Sequence, residues 1–136
     1  AWTDFKQAAN DSYRYTVTTS SWTGTRTTTV ITIDKGKVVK RSYVASSTIS
    51  SSYELIIHEQ WEEAGATLNT HSNGSALLNL DQVYQKAKTE WLPKRAKATS
   101  YFETKNEGMI SSCGYVEDNC ADDCFVGITI ANVEKL

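Results

Sequence analysis

The chain has 136 residues and a mass of 15.1 kDa, enough for one domain with a real core. A net charge of −2 excludes the electrostatic footprint of a general nucleic-acid binder, and no apolar run approaches the ~18 residues of a membrane span. Thr and Ser supply 31 residues (17 and 14) against a single proline, a bias that suits strand surfaces and not a mucin-like stalk.

Trp2, Phe5, Ala8 and Ala9 fall at helical spacing and predict a short amphipathic helix over residues 3–10, ended by Asn10, Asp11 and Ser12. Residues 13–19 alternate at period two, with Tyr13, Tyr15 and Val17 on one face. Trp22, Thr23 and Gly24 turn the chain into a strand over residues 27–33. Asp34-Lys-Gly36 is a tight hairpin signal, and residues 37–44 return as a third strand. Short links between consecutive β segments predict an antiparallel meander. Residues 46–52 are Ser-rich and read as a loop or ragged edge. Residues 53–61 read as a strand, because Leu55, Ile57 and Trp61 suit a pleated face and Gly65 interrupts a helix. A short extended piece over residues 66–71 follows.

The clearest helix comes next. Asn79 is a candidate N-cap with Gln82 three residues on. Leu80, Val83, Tyr84, Ala87 and Trp91 make one apolar stripe, which Pro93 stops. Residues 98–103, 108–115 and 125–133 supply a second set of strands. The expected fold is therefore α+β, a mainly antiparallel sheet of about six to seven strands packed by one N-terminal and one central helix, forming a single domain over residues 1–136.

Chemistry-bearing residues concentrate near the C-terminus. All three cysteines, Cys113, Cys120 and Cys124, lie within twelve positions. They allow one internal disulfide with three possible pairings, worth about 2–3 kcal/mol for a loop of this length. Glu117, Asp118, Asp122 and Asp123 are hard oxygen donors of the kind calcium takes, but their spacing is not that of an EF-hand, and a solvated acidic turn is the simpler reading. No other cofactor is expected. Two sequons, at Asn10 and Asn73, are glycosylation candidates, with Asn73 in the turn-like His71-Ser-Asn-Gly-Ser75.

No catalytic residue is assigned. Nucleophilic catalysis needs a hydroxyl or thiol held by a histidine and an acid, and the only histidines are His58 and His71. His58, in an apolar strand, reads as a core or interface residue. Glu62 and Glu63 are adjacent on a strand, so they face opposite ways and form no acid/base couple. There is no phosphate-binding or dinucleotide fingerprint. Lys35 to Arg41 and Lys94 to Lys97 are weak basic clusters that read as solvated faces.

Trp2 and Phe5 place two large aromatics on a short N-terminal arm. Leaving them in water is costly at ~25 cal/mol per Å², so they dock on their own domain or on another subunit. The clustered cysteines, the Asn73 sequon and a start without Met, basic region or apolar leader predict a secreted chain in an oxidising setting.

Ser12-Tyr-Arg-Tyr-Thr-Val17, the hairpin Val30-Ile-Thr-Ile-Asp-Lys-Gly-Lys-Val-Val39, the capped Leu80-Asp-Gln-Val-Tyr84, Tyr101-Phe-Glu with Gly108, and Asp122-Asp-Cys-Phe-Val-Gly-Ile128 follow one pattern. This pattern resembles a group of small secreted α+β domains without assigned activity, found in bacteria and aquatic eukaryotes. The resemblance spans nearly the whole chain and implies the same fold and a secreted setting; it implies no catalytic residues. The expectation is a non-enzymatic extracellular glycoprotein whose partner is itself, as a homo-oligomer or filament, through sheet edges or the Trp2/Phe5 arm. A monomeric module binding calcium, a small ligand or a carbohydrate is the alternative, as is a protein inhibitor. Neither nucleic acid nor membrane is an expected partner.

Overall fold

The computed structural model describes residues 1–20, 24–48, 51–118 and 125–136. Alternation builds the first half of the sheet. In β1 (Tyr13–Ser20) Tyr13, Tyr15 and Val17 are buried on one face, and Thr29, Ile31 and Ile33 of β2 (Thr25–Asp34) share it. Their neighbours Thr16, Thr18, Thr28 and Thr32 stay partly exposed on the other face, which accounts for much of the threonine excess. Lys35 and Gly36 have φ of 51° and 82°, as a two-residue type I′ turn requires. Asp34 accordingly sits opposite Lys37 at the start of β3 (Lys37–Thr48). β4 (Leu55–Ala64) pairs antiparallel with β3.

Among the described residues two helices cover the buried face. α1 (Trp2–Ala8) is amphipathic, with Trp2 and Phe5 packed against the core. α2 (Leu80–Lys86) opens with a reciprocal cap. The Asn79 side chain accepts from Gln82 N and the Gln82 side chain accepts from Asn79 N, each at 2.8 Å. Tyr13 Oη also accepts from Leu80 N at 2.6 Å, fixing the helix start to the sheet. The apolar stripe runs on through a wider π-type turn, Ala87–Trp91, which carries Trp91 into the core.

β5 (Ala98–Glu103), β6 (Ser112–Glu117) and β7 (Phe125–Lys135) complete one seven-stranded sheet of order β4-β3-β2-β1-β7-β6-β5, with every neighbouring pair antiparallel. β7 is shared between the halves. Residues 125–129 pair with β6, and residues 130–135 pair with β1. Gly114 lies opposite Gly127, and a Cβ on Gly127 would stand 2.0 Å from the Cys113 carbonyl oxygen. Only glycine permits that approach. Among the described residues one apolar cluster runs from Tyr13, Tyr15 and Ile31 to Val83, Cys113 and Ile130.

The structure departs from the sequence expectation at several places, among them a β2 that starts at Thr25 and a β7 that runs to Lys135. The N-terminal helix begins and ends earlier than residues 3–10. β3 continues to Thr48, where a serine-rich loop was expected, because Thr48 pairs with Leu55. The expected extended piece at residues 66–71 is a 3₁₀ turn (Gly65–Thr67) and an irregular loop, since Gly65 has φ of 54° and the Glu63 carboxylate collects the Asn69 and His71 amides. β6 starts at Ser112 and not at residue 108. Gly108, with φ of 91°, turns the chain there so that Met109 and Ile110 are buried. Residues 53–61 are indeed largely strand, but Leu55, Ile57 and His58 lie on an open surface and not in a covered apolar face. Trp22 and Thr23 of the expected turn, and Ile49 and Ser50 of the serine-rich stretch, lie outside the described residues.

Candidate functional site

The two ends of the sheet are β4 and β5. Among the described residues no further backbone–backbone hydrogen bond reaches the outer side of either strand, so, apart from Ala64, whose N–H and C=O bond the Thr67 hydroxyl, each offers a row of free N–H and C=O groups. Natural sheets usually shorten, charge or cover such rows. Here β4 carries Leu55 and Ile57, 64% and 51% exposed, beside Ile56 and the preceding Tyr53. β5 carries Tyr101 and Phe102, 48% and 50% exposed. Phe102 walls a shallow groove of about 430 Å³ with Tyr84, Ala87, Lys88 and Leu92.

The edges differ in charge. Glu59 and Glu62 are exposed on β4 and Glu54 just before it, and Glu62 meets Lys40 at 3.3 Å. Around β5 stand the exposed Lys88, Lys94 and Lys97, none of them in an ion pair among the described residues.

A cleft of about 730 Å³ opens between the ends of β1 and β2 and the first half of β7. Val17, Leu78, Trp91, Phe125 and Ile128 form its apolar surface. Arg26, Lys86 and the hydroxyls of Thr19, Ser20 and Thr129 give it polar points. That combination suits a small apolar ligand bearing an anionic or hydroxylated end.

Beneath the loop after β4 lies a buried charge cluster. Arg41 and Glu63 face each other across β3 and β4, with Arg41 Nη2 at 2.8 Å from Glu63 Oε1, and both side chains are buried. Arg41 also donates to the Ser75 and His71 carbonyls at 2.9 and 3.0 Å. The Glu63 carboxylate accepts from Asn69 N at 2.9 Å, from His71 N at 2.7 Å and, on the proton-bearing tautomer, from His71 Nδ1 at 2.7 Å. Burial by itself pushes Glu63 up, but the bonds from His71, Asn69 and Arg41 together outweigh it and hold the carboxyl at about 2. The His71 ring stacks on Trp61 at 4.0 Å, and the Arg41 guanidinium lies 4.9 Å from the same indole.

A carboxylate on one imidazole nitrogen is half of a catalytic arrangement. Among the described residues no hydroxyl or thiol hydrogen-bonds the other nitrogen of His71. The serine–histidine contact is elsewhere, Ser47 Oγ to His58 Nε2 at 2.7 Å on the exposed part of β3 and β4, with no carboxylate bonded to His58 among the described residues. The elements of a triad are thus divided between two places. The Arg41–Glu63–His71 cluster instead pins the loop of residues 65–75 onto the sheet. Sequence reasoning did not single out this cluster; its signal, an acid and an arginine at inward strand positions, emerges only once the strands are registered.

The other residues singled out in the sequence fall as follows. Trp2 and Phe5 pack on their own domain. The Trp2 indole donates to Asp81 Oδ1 at 2.8 Å, and its ring meets Tyr13 edge-on at 5.2 Å and stacks on Tyr84 at 6.0 Å. Lys6 adds an ion pair to the other Asp81 oxygen at 2.6 Å. Cys113 is buried, has no disulfide among the described residues, and is pushed up to about 11 by burial. Cys120 and Cys124 lie outside the described residues, as do Asp122 and Asp123 of the calcium candidates. Glu117 and Asp118 are exposed at the end of β6, and among the described residues no three acidic, histidine or cysteine side chains gather as metal ligands. Asn10 is exposed, whereas Asn73 is half-buried with its amide donating to Glu59. No helix is long and apolar enough to cross a membrane among the described residues.

No protein-family model matches the chain, and neither the curated proteins nor the solved structures yield a match.

Proposed function

We propose that the chain is a non-enzymatic extracellular glycoprotein subunit that associates with copies of itself by continuing the sheet across its open edges. The observation that carries this reading is the pair of strands with exposed apolar side chains and open outer sides at opposite ends of one sheet. Pairing satisfies their backbone groups, and burying exposed Leu, Ile, Tyr and Phe side chains adds about 1–2 kcal/mol each. β5 has only six residues, so one junction is short and each contact weak. Assembly is therefore expected at high protein concentration. Sedimentation velocity and direct electron imaging of the native protein test it, with oligomers or filaments the expected result. A lone monomer at millimolar concentration, before and after reduction, removes the reading. The clustered cysteines, the hydroxyl-rich surface and the open Asn10 sequon support an extracellular, glycosylated setting; intact mass of protein from its native source checks the glycan.

The cleft beside Trp91 favours a second reading, a monomeric module for a small ligand. Titration of a medium-chain carboxylate or a simple sugar by calorimetry discriminates, and a parallel calcium titration tests the acidic segment around Glu117 and Asp118. Absence of heat in all three leaves the cleft without a role in binding these ligand classes.

A further inference from the structure

We infer that the association is heterologous, the β4 edge of one copy seating on the β5 edge and adjoining groove of the next, so that assembly is polar, with a free β4 at one end and a free β5 at the other. The inference rests on the self-association proposed above and adds which surface meets which. Three observations carry it. First, the edges are unlike in shape: β4 presents protruding Tyr53, Leu55 and Ile57, whereas β5 is flanked by the Tyr84–Leu92–Phe102 groove. Knobs on one side and a groove on the other complement each other and not themselves.

Second, the edges are unlike in charge. A twofold β4–β4 contact brings two sets of Glu54, Glu59 and Glu62 together, and a β5–β5 contact does the same with Lys88, Lys94 and Lys97. β4 on β5 instead sets these glutamates against these lysines, and of the acids near β5 Glu103 is already paired with Lys105 and Asp81 with Lys6. Third, topology fixes the polarity. With seven antiparallel strands, the first and last run the same way, so a copy added with its helical layer on the same face pairs β5 and β4 in parallel. Parallel ladders are slightly weaker than antiparallel ones, and the groove contacts and charge pairing offset that loss. Each assembly then keeps one free β4 at one end and one free β5 at the other, so a further copy can add at either end.

Two edge-blocked variants test this. Leu55→Asp with Ile57→Asp disables β4, and Tyr101→Asp with Phe102→Asp disables β5. All four positions are exposed, and matching circular dichroism to the parent confirms folding. Should either double variant misfold, the single substitutions Ile57→Asp and Tyr101→Asp serve instead. Each variant alone is expected to sediment as monomer, and an equimolar mixture to form dimers that stop at two. A β5-blocked variant that dimerises alone shows a β4–β4 contact, and a β4-blocked variant that does so shows a β5–β5 contact. A mixture that stays monomeric while the parent assembles places the contact elsewhere. Any of these three overturns the inference. A parent that never assembles sinks the underlying proposal with it.

Discussion

Glu63 illustrates how one side chain organises its surroundings. A carboxylate without exposure is tolerable only when its lone pairs are occupied, and here Arg41, Asn69 and His71 occupy them. Arg41→Met leaves that charge buried and unpaired and is expected to lower Tm by on the order of 10 °C in a thermal melt. The pH dependence has a definite sign. Glu63 falls from the ordinary 4.5 to about 2 in the folded chain, so its contribution is complete above pH 4.5 and is lost as pH falls towards 2. Melts across that window should fall more steeply for the parent than for Glu63→Gln, whose stability at neutral pH starts lower; parallel curves refute the assignment. Cys113 gives a second check at this scale. Buried and held near 11, it should resist iodoacetamide at pH 8 in the folded chain and react once denatured, as read by mass spectrometry. The sequence showed that Glu62 and Glu63 face opposite ways, but not which is inside. That depends on Arg41 and His71, brought to Glu63 by strand register and by a loop without periodicity of its own.

At the level of elements, local rules were legible wherever the partners are close in sequence. The Asn79–Gln82 cap, the Lys35–Gly36 turn and the Tyr13/Tyr15/Val17 face follow from neighbouring residues alone, and all three are present. Asn79→Ala is expected to cost about 1 kcal/mol in urea unfolding, because it unseats the first turn of α2. The boundaries that shifted answer to distant partners: Thr48 stays in a strand because of Leu55, and Met109 and Ile110 turn inward to reach the core. Gly127 belongs with these. Its φ of 154° and its contact with the Cys113 carbonyl leave no room for a methyl group, so Gly127→Ala should lose about 3 kcal/mol in the same assay. An unchanged midpoint would mean that the two strands separate there without loss.

For the molecule as a whole, the fold class was legible in composition and periodicity, whereas the open edges were not. Leu-Ile-Ile at residues 55–57 reads as core by hydropathy, and its exposure follows only from the strand order, which leaves β4 without an outer neighbour. If acid meets base at the junction, assembly should weaken as salt rises to 1 M, where the screening length shrinks to about 3 Å; light scattering that grows with salt would instead mark a purely apolar contact. The placement of β7 has a kinetic side. Strands β1 to β4 join sequence neighbours and can zip locally, but Tyr13 must wait for Lys135, its partner from almost the full length of the chain away. The topology predicts that, until the final segment docks between β1 and β6, two half-sheets expose their inner margins as well as their outer ones. Stopped-flow refolding should accordingly show a late step sensitive to Ile130→Val, and haste in concentrated solution should favour tangles. The expected order of folding is edges first and middle last.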